Sequence, residues 1–131
     1  MERLPDYIQG ERVVRELRRH APEALEALAS DLEQPLSPPL ERAMARSLDD
    51  CRVPDFRASE VLMPAMMTTF AVSPAAIAEE GLAVMEASCN RCEAVGRCWR
   101  AMRDGADAEA CRSFCPNAER FREAGEARQG V

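Results

Sequence analysis

The apolar positions in the first part of the chain recur every three or four residues, with charged residues between them. Over residues 6–20 this pattern predicts an amphipathic α-helix with one apolar face. The residues expected on that face are Ile8, Val13, Val14 and Leu17. Pro22 is placed to begin a second helix, and Ser37 is placed to cap a third. Residues 1–58 are therefore expected to form a helical extension, a hairpin plus one helix.

The rest of the chain keeps the helical pattern, and no alternating apolar stretch is long enough to demand a β-strand. A methionine-rich helix is predicted over residues 60–70, and Ser73 followed by Pro74 marks the start of another that continues to Ala87. The predicted core side chains of the first of these helices are Met63, Met66, Met67 and Phe70. The fold class is therefore predicted as all-α, a small helical bundle in which residues 59–131 form a cysteine-rich module packed with the extension as one domain.

Local signals also divide the cysteine-rich module into helices. A helix is expected from Arg97 to Arg103, ended by Gly105 in the left-handed conformation. Asp107 is placed to cap a short helix. Pro116 is expected at the first position of a last helix that ends near Gly125, so a thiol just before it would face free backbone N–H groups.

Length and charge narrow the classes of function. A chain of 131 residues fits one domain, and the net charge of −6 argues against nucleic acid as a partner. The amino terminus has no apolar run of signal-peptide length, so we expect a cytoplasmic protein. The uncharged run at residues 61–78 is interrupted by two prolines, and we therefore expect buried helices there and no membrane span.

Five of the six cysteines fall within residues 89–115, with the spacing C-x2-C-x5-C-x12-C-x3-C. They are Cys89, Cys92, Cys98, Cys111 and Cys115. In a reducing cytosol such a group more often binds metal than forms disulfides. The isolated Cys51 is expected to behave as a small buried hydrophobe.

Two sets of four ligands satisfy this spacing. In the first, Cys89, Cys92 and Cys98 form a close trio, and Cys115, followed by proline, adds a distant fourth, as iron–sulfur clusters often require. In the second, Cys89 and Cys92 join Cys111 and Cys115 around one zinc ion, which leaves Cys98 free. We favour the first set, because an apolar helix face beside Cys98 would shield a cluster from water.

The predicted function is that of a small iron–sulfur protein with one [4Fe-4S] cluster, acting in electron transfer or as an accessory subunit of a larger oxidoreductase, without a substrate pocket of its own. The alternatives are a zinc-stapled interaction or regulatory module and an iron–sulfur redox sensor. The expected partner is a protein. The single histidine, His20, stands far from the cysteines at a predicted helix end and needs no catalytic role.

Residues 62–123 resemble a family of uncharacterised bacterial domains found chiefly in proteobacteria. The elements that carry the resemblance are LMPAMMTTFAVSPAAIA, CNRCEAVGRCW and FCPNAERF. The resemblance implies the first ligand set, because the recurring cysteines of the family are similar to Cys89, Cys92, Cys98 and Cys115. Cys51 and Cys111 have no counterpart, and Ala71 stands where such sequences usually have glycine.

Overall fold

The computed structural model describes the backbone of residues 4–129 and the side chains of residues 9–125. Over that range the chain is helical and contains no β-strand, which confirms the predicted all-α class. The α-helices are α1 (Leu4–His20), α2 (Pro22–Ser30), α3 (Pro38–Asp49), α4 (Ala58–Thr69), α5 (Glu79–Asn90), α6 (Val95–Arg103), α7 (Ala108–Cys111) and α8 (Ala118–Gln129). None of them combines the length and the apolar character needed to cross a bilayer.

The chain divides into two compact units between Phe56 and Arg57, whereas the sequence analysis placed the boundary after residue 58. We call them unit 1 (residues 1–56) and unit 2 (residues 57–131) and describe each by itself.

Unit 1 is built from α1, α2 and α3. Gly10, in the middle of α1, lets the backbone of α3 approach closely, because a Cβ at this position would lie 2.5 Å from the carbonyl oxygen of Pro39. Ser37 caps α3 as predicted, its hydroxyl oxygen accepting a hydrogen bond from the Leu40 backbone N–H at 3.4 Å. The buried apolar side chains of this unit are Val14, Leu25, Ala29, Ala43, Met44, Ala45, Leu48 and Val53.

Two side-chain predictions in unit 1 are wrong. Val13 is 38% exposed, whereas Val14, predicted on the same face, is buried, because adjacent residues of a helix point to different sides of it. Cys51 is exposed, in a tight left-handed turn with a φ of 57° that directs it away from the interior. The side chain of Ile8, also expected on the apolar face, lies outside the described residues.

In unit 2, α4 packs against α5 and α6, and the methionines of α4 lie in the core as predicted. The rings of Phe70 and Phe121 meet at 5.7 Å between centroids, which joins the end of α4 to α8. The core cluster consists of Met63, Met66, Met67, Val72, Met85, Cys111 and Phe121.

The single helix predicted from Pro74 to Ala87 is wrong. Ser73 does cap a turn at Pro74–Ala76, but the turn is a single 3₁₀ turn that ends at Ile77 in extended backbone. Ile77 thereby packs against the core cluster, and the chain restarts as α5, which continues to Asn90.

The last helix also differs from the prediction. α8 begins at Ala118, two residues after Pro116, because Asn117 supplies the carbonyl that accepts the Phe121 N–H at 3.0 Å. It continues through Gly125, where the missing side chain leaves room for the Phe70 carbonyl 3.4 Å from an ideal Cβ. Gly105, by contrast, ends α6 with a φ of 70°, as predicted.

Candidate functional site

Unit 2 contains a cavity with about 340 Å³ of empty space, counting its opening to solvent. Four cysteines line it, and they are Cys89, Cys92, Cys98 and Cys115. The structure therefore brings together the four residues of the first predicted ligand set. We call this space the cysteine cavity.

Three helices and the turns between them bring the four cysteines to one place. Cys89 lies in the last turn of α5, and Cys92 lies in the turn that follows, its backbone N–H bonded to the Cys89 carbonyl at 3.2 Å. Cys98 stands in the middle of α6. Cys115 follows α7, and its backbone N–H bonds to the Cys111 carbonyl at 3.0 Å.

The rest of the cavity wall is apolar. The residues that complete it are Ala58, Leu62, Met63, Met66, Val95, Phe114 and Pro116. Phe114 is held on its outer side by Arg97, whose guanidinium carbon lies 4.8 Å from the ring centroid. Arg97 also donates a hydrogen bond to the Ser113 hydroxyl at 3.2 Å. Such a wall excludes water from whatever the sulfurs bind.

Cys111 does not line the cysteine cavity. Its side chain is completely buried in the core cluster, where it lies among methionines and Phe121. Burial and the carboxylate of Asp107 raise the pKa of its thiol. The second predicted ligand set, which needs Cys111 beside Cys89 and Cys92, is therefore not assembled around this cavity.

Hydrogen-bond donors are directed at three of the four sulfurs. The Ala94 backbone N–H donates to Cys92 Sγ at 3.3 Å, and the Asn117 side-chain amide donates to Cys89 Sγ at 3.3 Å. Backbone N–H groups of Asn117 and Ala118 face the Cys115 sulfur and lower its pKa, although burial raises it more. Donors of this kind orient metal-bound thiolates and offset their negative charge.

Asn117 has a different role from the one the sequence suggests. From the sequence, its position after Cys115 and Pro116 predicts a side-chain hydrogen bond to the backbone of the local turn. Instead its amide nitrogen donates to the Met85 carbonyl at 2.9 Å and to Cys89, 32 and 28 residues away along the chain. The signal that marks it is its position directly after the Cys-Pro pair, at the entrance to α8.

Burial raises the pKa of three cavity thiols, those of Cys89, Cys98 and Cys115. Burial raises the pKa of Cys89 from 9.0 to about 11, although the hydrogen bond from Asn117 lowers it in part. Burial, and then the nearby sulfurs of Cys115 and Cys89, raise the pKa of Cys98 well above its ordinary value. A thiol that acts as a nucleophile or exchanges disulfides needs a lowered pKa. The site therefore does not have the electrostatics of a thiol catalyst.

The chemistry of the lining bears on what the site could hold. Within residues 9–125 no group of three histidine, cysteine, aspartate or glutamate side chains is placed to hold a metal ion. Four thiols, an apolar wall and N–H donors are nevertheless the kinds of group that hold iron–sulfur clusters in proteins.

The cysteine cavity lies next to an outer groove of about 720 Å³. Cys92, Phe114 and Pro116 belong to both walls, and Arg91 and Glu93 stand on the solvent side. Cys92, Phe114 and Pro116 thus lie between the cavity and the groove.

Comparison of the chain with protein-family models, with curated proteins and with solved structures gave no match. The interpretation of the site therefore depends on its own residues and geometry.

Proposed function

We propose that unit 2 binds one [4Fe-4S] cluster through Cys89, Cys92, Cys98 and Cys115, and that the protein transfers single electrons to or from a larger oxidoreductase. The observation that carries the proposal is that these four cysteines line one apolar cavity, whereas Cys111 is buried in the core outside it. A zinc site of the second set would need Cys111 as a ligand, but the side chain of Cys111 is completely buried in the core cluster and does not line the cavity.

A [4Fe-4S] cluster supplies one-electron redox chemistry when it is bound. The chain's own residues have three tasks. The four sulfurs would bind the irons of the cluster, and the aliphatic and aromatic wall would limit the access of water to it. The N–H groups of Ala94, Asn117 and Ala118 offset the negative charge that four thiolates concentrate in one place.

The composition of the cavity wall supports a relay of electrons over conversion of a substrate. Apart from the four cysteines, none of the residues that line the cavity is an acid, a base, an amide or an alcohol, so no other group of the wall could transfer a proton to a bound substrate. Cys92 lines both the cavity and the surface groove, and the groove is where a partner protein could approach the cluster.

The test is a pair of matched variants, Cys98→Ala and Cys111→Ala, compared with the parent chain. Each protein is purified without oxygen or reconstituted with iron and sulfide, and iron, sulfide and zinc are then measured per chain. The proposal predicts four irons and four sulfides in the parent and in Cys111→Ala, with visible absorbance that bleaches on reduction. It predicts that Cys98→Ala loses this cluster. A colourless parent with one zinc, lost in Cys111→Ala and kept in Cys98→Ala, would support the zinc module instead.

Redox cycling separates an electron carrier from a redox sensor, the other alternative. A carrier is expected to keep its iron through repeated reduction and mild oxidation, because its wall shields the cluster. Release of iron in the first oxidation would instead indicate that cluster loss is the signal.

A further inference from the structure

Asn117 is a buried amide whose orientation the structure determines. Its side chain is 1% exposed, and its nitrogen lies 2.9 Å from the Met85 backbone carbonyl. A carbonyl only accepts hydrogen bonds, so the NH₂ end of the amide must face Met85. The second N–H of the same group is then directed at Cys89 Sγ, 3.3 Å away, which makes this sulfur an acceptor.

The oxygen of the Asn117 amide makes no hydrogen bond to a described residue, which indicates that its N–H donors are what this position requires. This oxygen, Oδ1, is also buried. An unpaired buried acceptor is destabilising, and a leucine of similar shape would avoid it. The backbone N–H of the same residue also lowers the pKa of the Cys115 thiol. The side-chain contact of Asn117 with Cys89 is the one that the geometry shows.

We propose that Asn117 is a positioning residue that sets the reduction potential of the cluster, by donating its side-chain N–H to the sulfur of Cys89. This inference rests on the proposed function. Hydrogen bonds to cysteine sulfur stabilise the more negatively charged, reduced state and so raise the potential. The proposal explains why a buried polar side chain with an unpaired oxygen stands beside an otherwise apolar cavity.

The test compares the cluster-loaded parent with Asn117→Leu and with a matched control, Asn90→Ala. Asn90 also makes a hydrogen bond across the unit, accepting the Ser59 N–H at 3.0 Å, but it has no contact with sulfur among those described. The readout is the midpoint potential from a redox titration followed by electron paramagnetic resonance. We expect a lower potential in Asn117→Leu, at full iron content, and the parent value in Asn90→Ala.

A second measurement uses the unsubstituted protein, in case Asn117→Leu assembles no cluster. The sequence contains two asparagines, Asn90 and Asn117. The chain is labelled with ¹⁵N at the asparagine amides, and pulsed paramagnetic resonance of the reduced cluster is recorded with and without the Asn90→Ala substitution. A ¹⁵N coupling that persists in Asn90→Ala is the expected result.

The outcomes separate this inference from the function on which it rests. A parent chain that binds no cluster overturns both. A loaded parent whose potential is unchanged in Asn117→Leu, or falls equally in Asn90→Ala, overturns the role of Asn117 alone. Absence of the ¹⁵N coupling in a loaded parent does the same.

Discussion

The two units of this chain are both helical, but they fill their interiors in different ways. Unit 1 buries aliphatic side chains and methionine, and its tightest feature is the approach of Gly10 to the Pro39 carbonyl. Unit 2 keeps an open cavity walled by sulfur and apolar groups, with a buried amide beside it that has an unpaired oxygen. Protein interiors are normally close-packed and their buried polar groups bonded. We attribute the cavity of unit 2 to the cluster that we propose it binds, whereas the interior of unit 1 is explained by the packing of its own side chains.

The largest difference that we predict between the two units concerns the proposed cluster. Removing iron and sulfide from the loaded protein should destabilise unit 2 far more than unit 1. A ligand that binds only the folded state stabilises it by about 3 kcal/mol when present at a few hundred times its dissociation constant. We therefore expect a chelated protein to lose amide protection in α5, α6 and the first turn of α8, and to keep it in α1 and α3. Hydrogen exchange followed by mass spectrometry measures this.

The control for that experiment is Cys111→Ala, which is expected to retain the cluster and the protection pattern of the loaded parent around the cavity. Equal loss of protection in both units after chelation would show that the contrast between them is wrong. No change in either would show that the cavity needs no ligand.

Gly10→Ala tests the packing of unit 1. The added Cβ would lie 2.5 Å from the Pro39 carbonyl oxygen, which belongs to backbone and can move only with α3. Overpacking of this kind costs about 1–3 kcal/mol. We expect a lower midpoint in urea denaturation and the same iron content per folded chain.

Gly81→Ala in α5 is the matched control. The nearest atom to its added Cβ is a side-chain methyl of Ile77 at 3.5 Å, an ordinary contact. Alanine is favoured over glycine inside a helix by roughly 0.5–1 kcal/mol, so this variant should gain stability. Tolerance of Gly10→Ala without loss would mean that α1 and α3 do not depend on the close approach.

The sequence predicted the features whose causes lie within a few residues. Ser37 and Asp107 cap their helices, and Gly105 ends α6, because each acts on backbone groups no more than three or four positions away. The spacing of the cysteines left two ligand sets open, and the four cysteines of the first set line the cavity.

Features that depend on distant contacts were not predictable in this way. The helix break at Ile77 follows from the contact of this side chain with the core cluster. Gly125 continues its helix because the end of α4 approaches it, and Asn117 bonds to partners about 30 residues away. A single sequence does not show which distant segments are in contact. From the sequence alone, Gly125 therefore predicts a helix end and Asn117 predicts a local cap.

The smallest effect we predict concerns two residues in left-handed backbone, one in each unit. Ala71 in unit 2 and Cys51 in unit 1 both have a φ of 57°. This backbone conformation costs a residue with a Cβ about 1–2 kcal/mol. Glycine avoids that cost, but it loses more conformational entropy on folding, which offsets part of the gain. Ala71→Gly and Cys51→Gly should therefore each raise stability by roughly 0.5–1 kcal/mol in thermal unfolding. Gly105→Ala, where nothing lies within 4 Å of the new Cβ, isolates the same conformational effect with the opposite sign. If Ala71→Gly lowered stability while Cys51→Gly raised it, the turn after α4 would depend on the side chain of Ala71 more than on its backbone conformation.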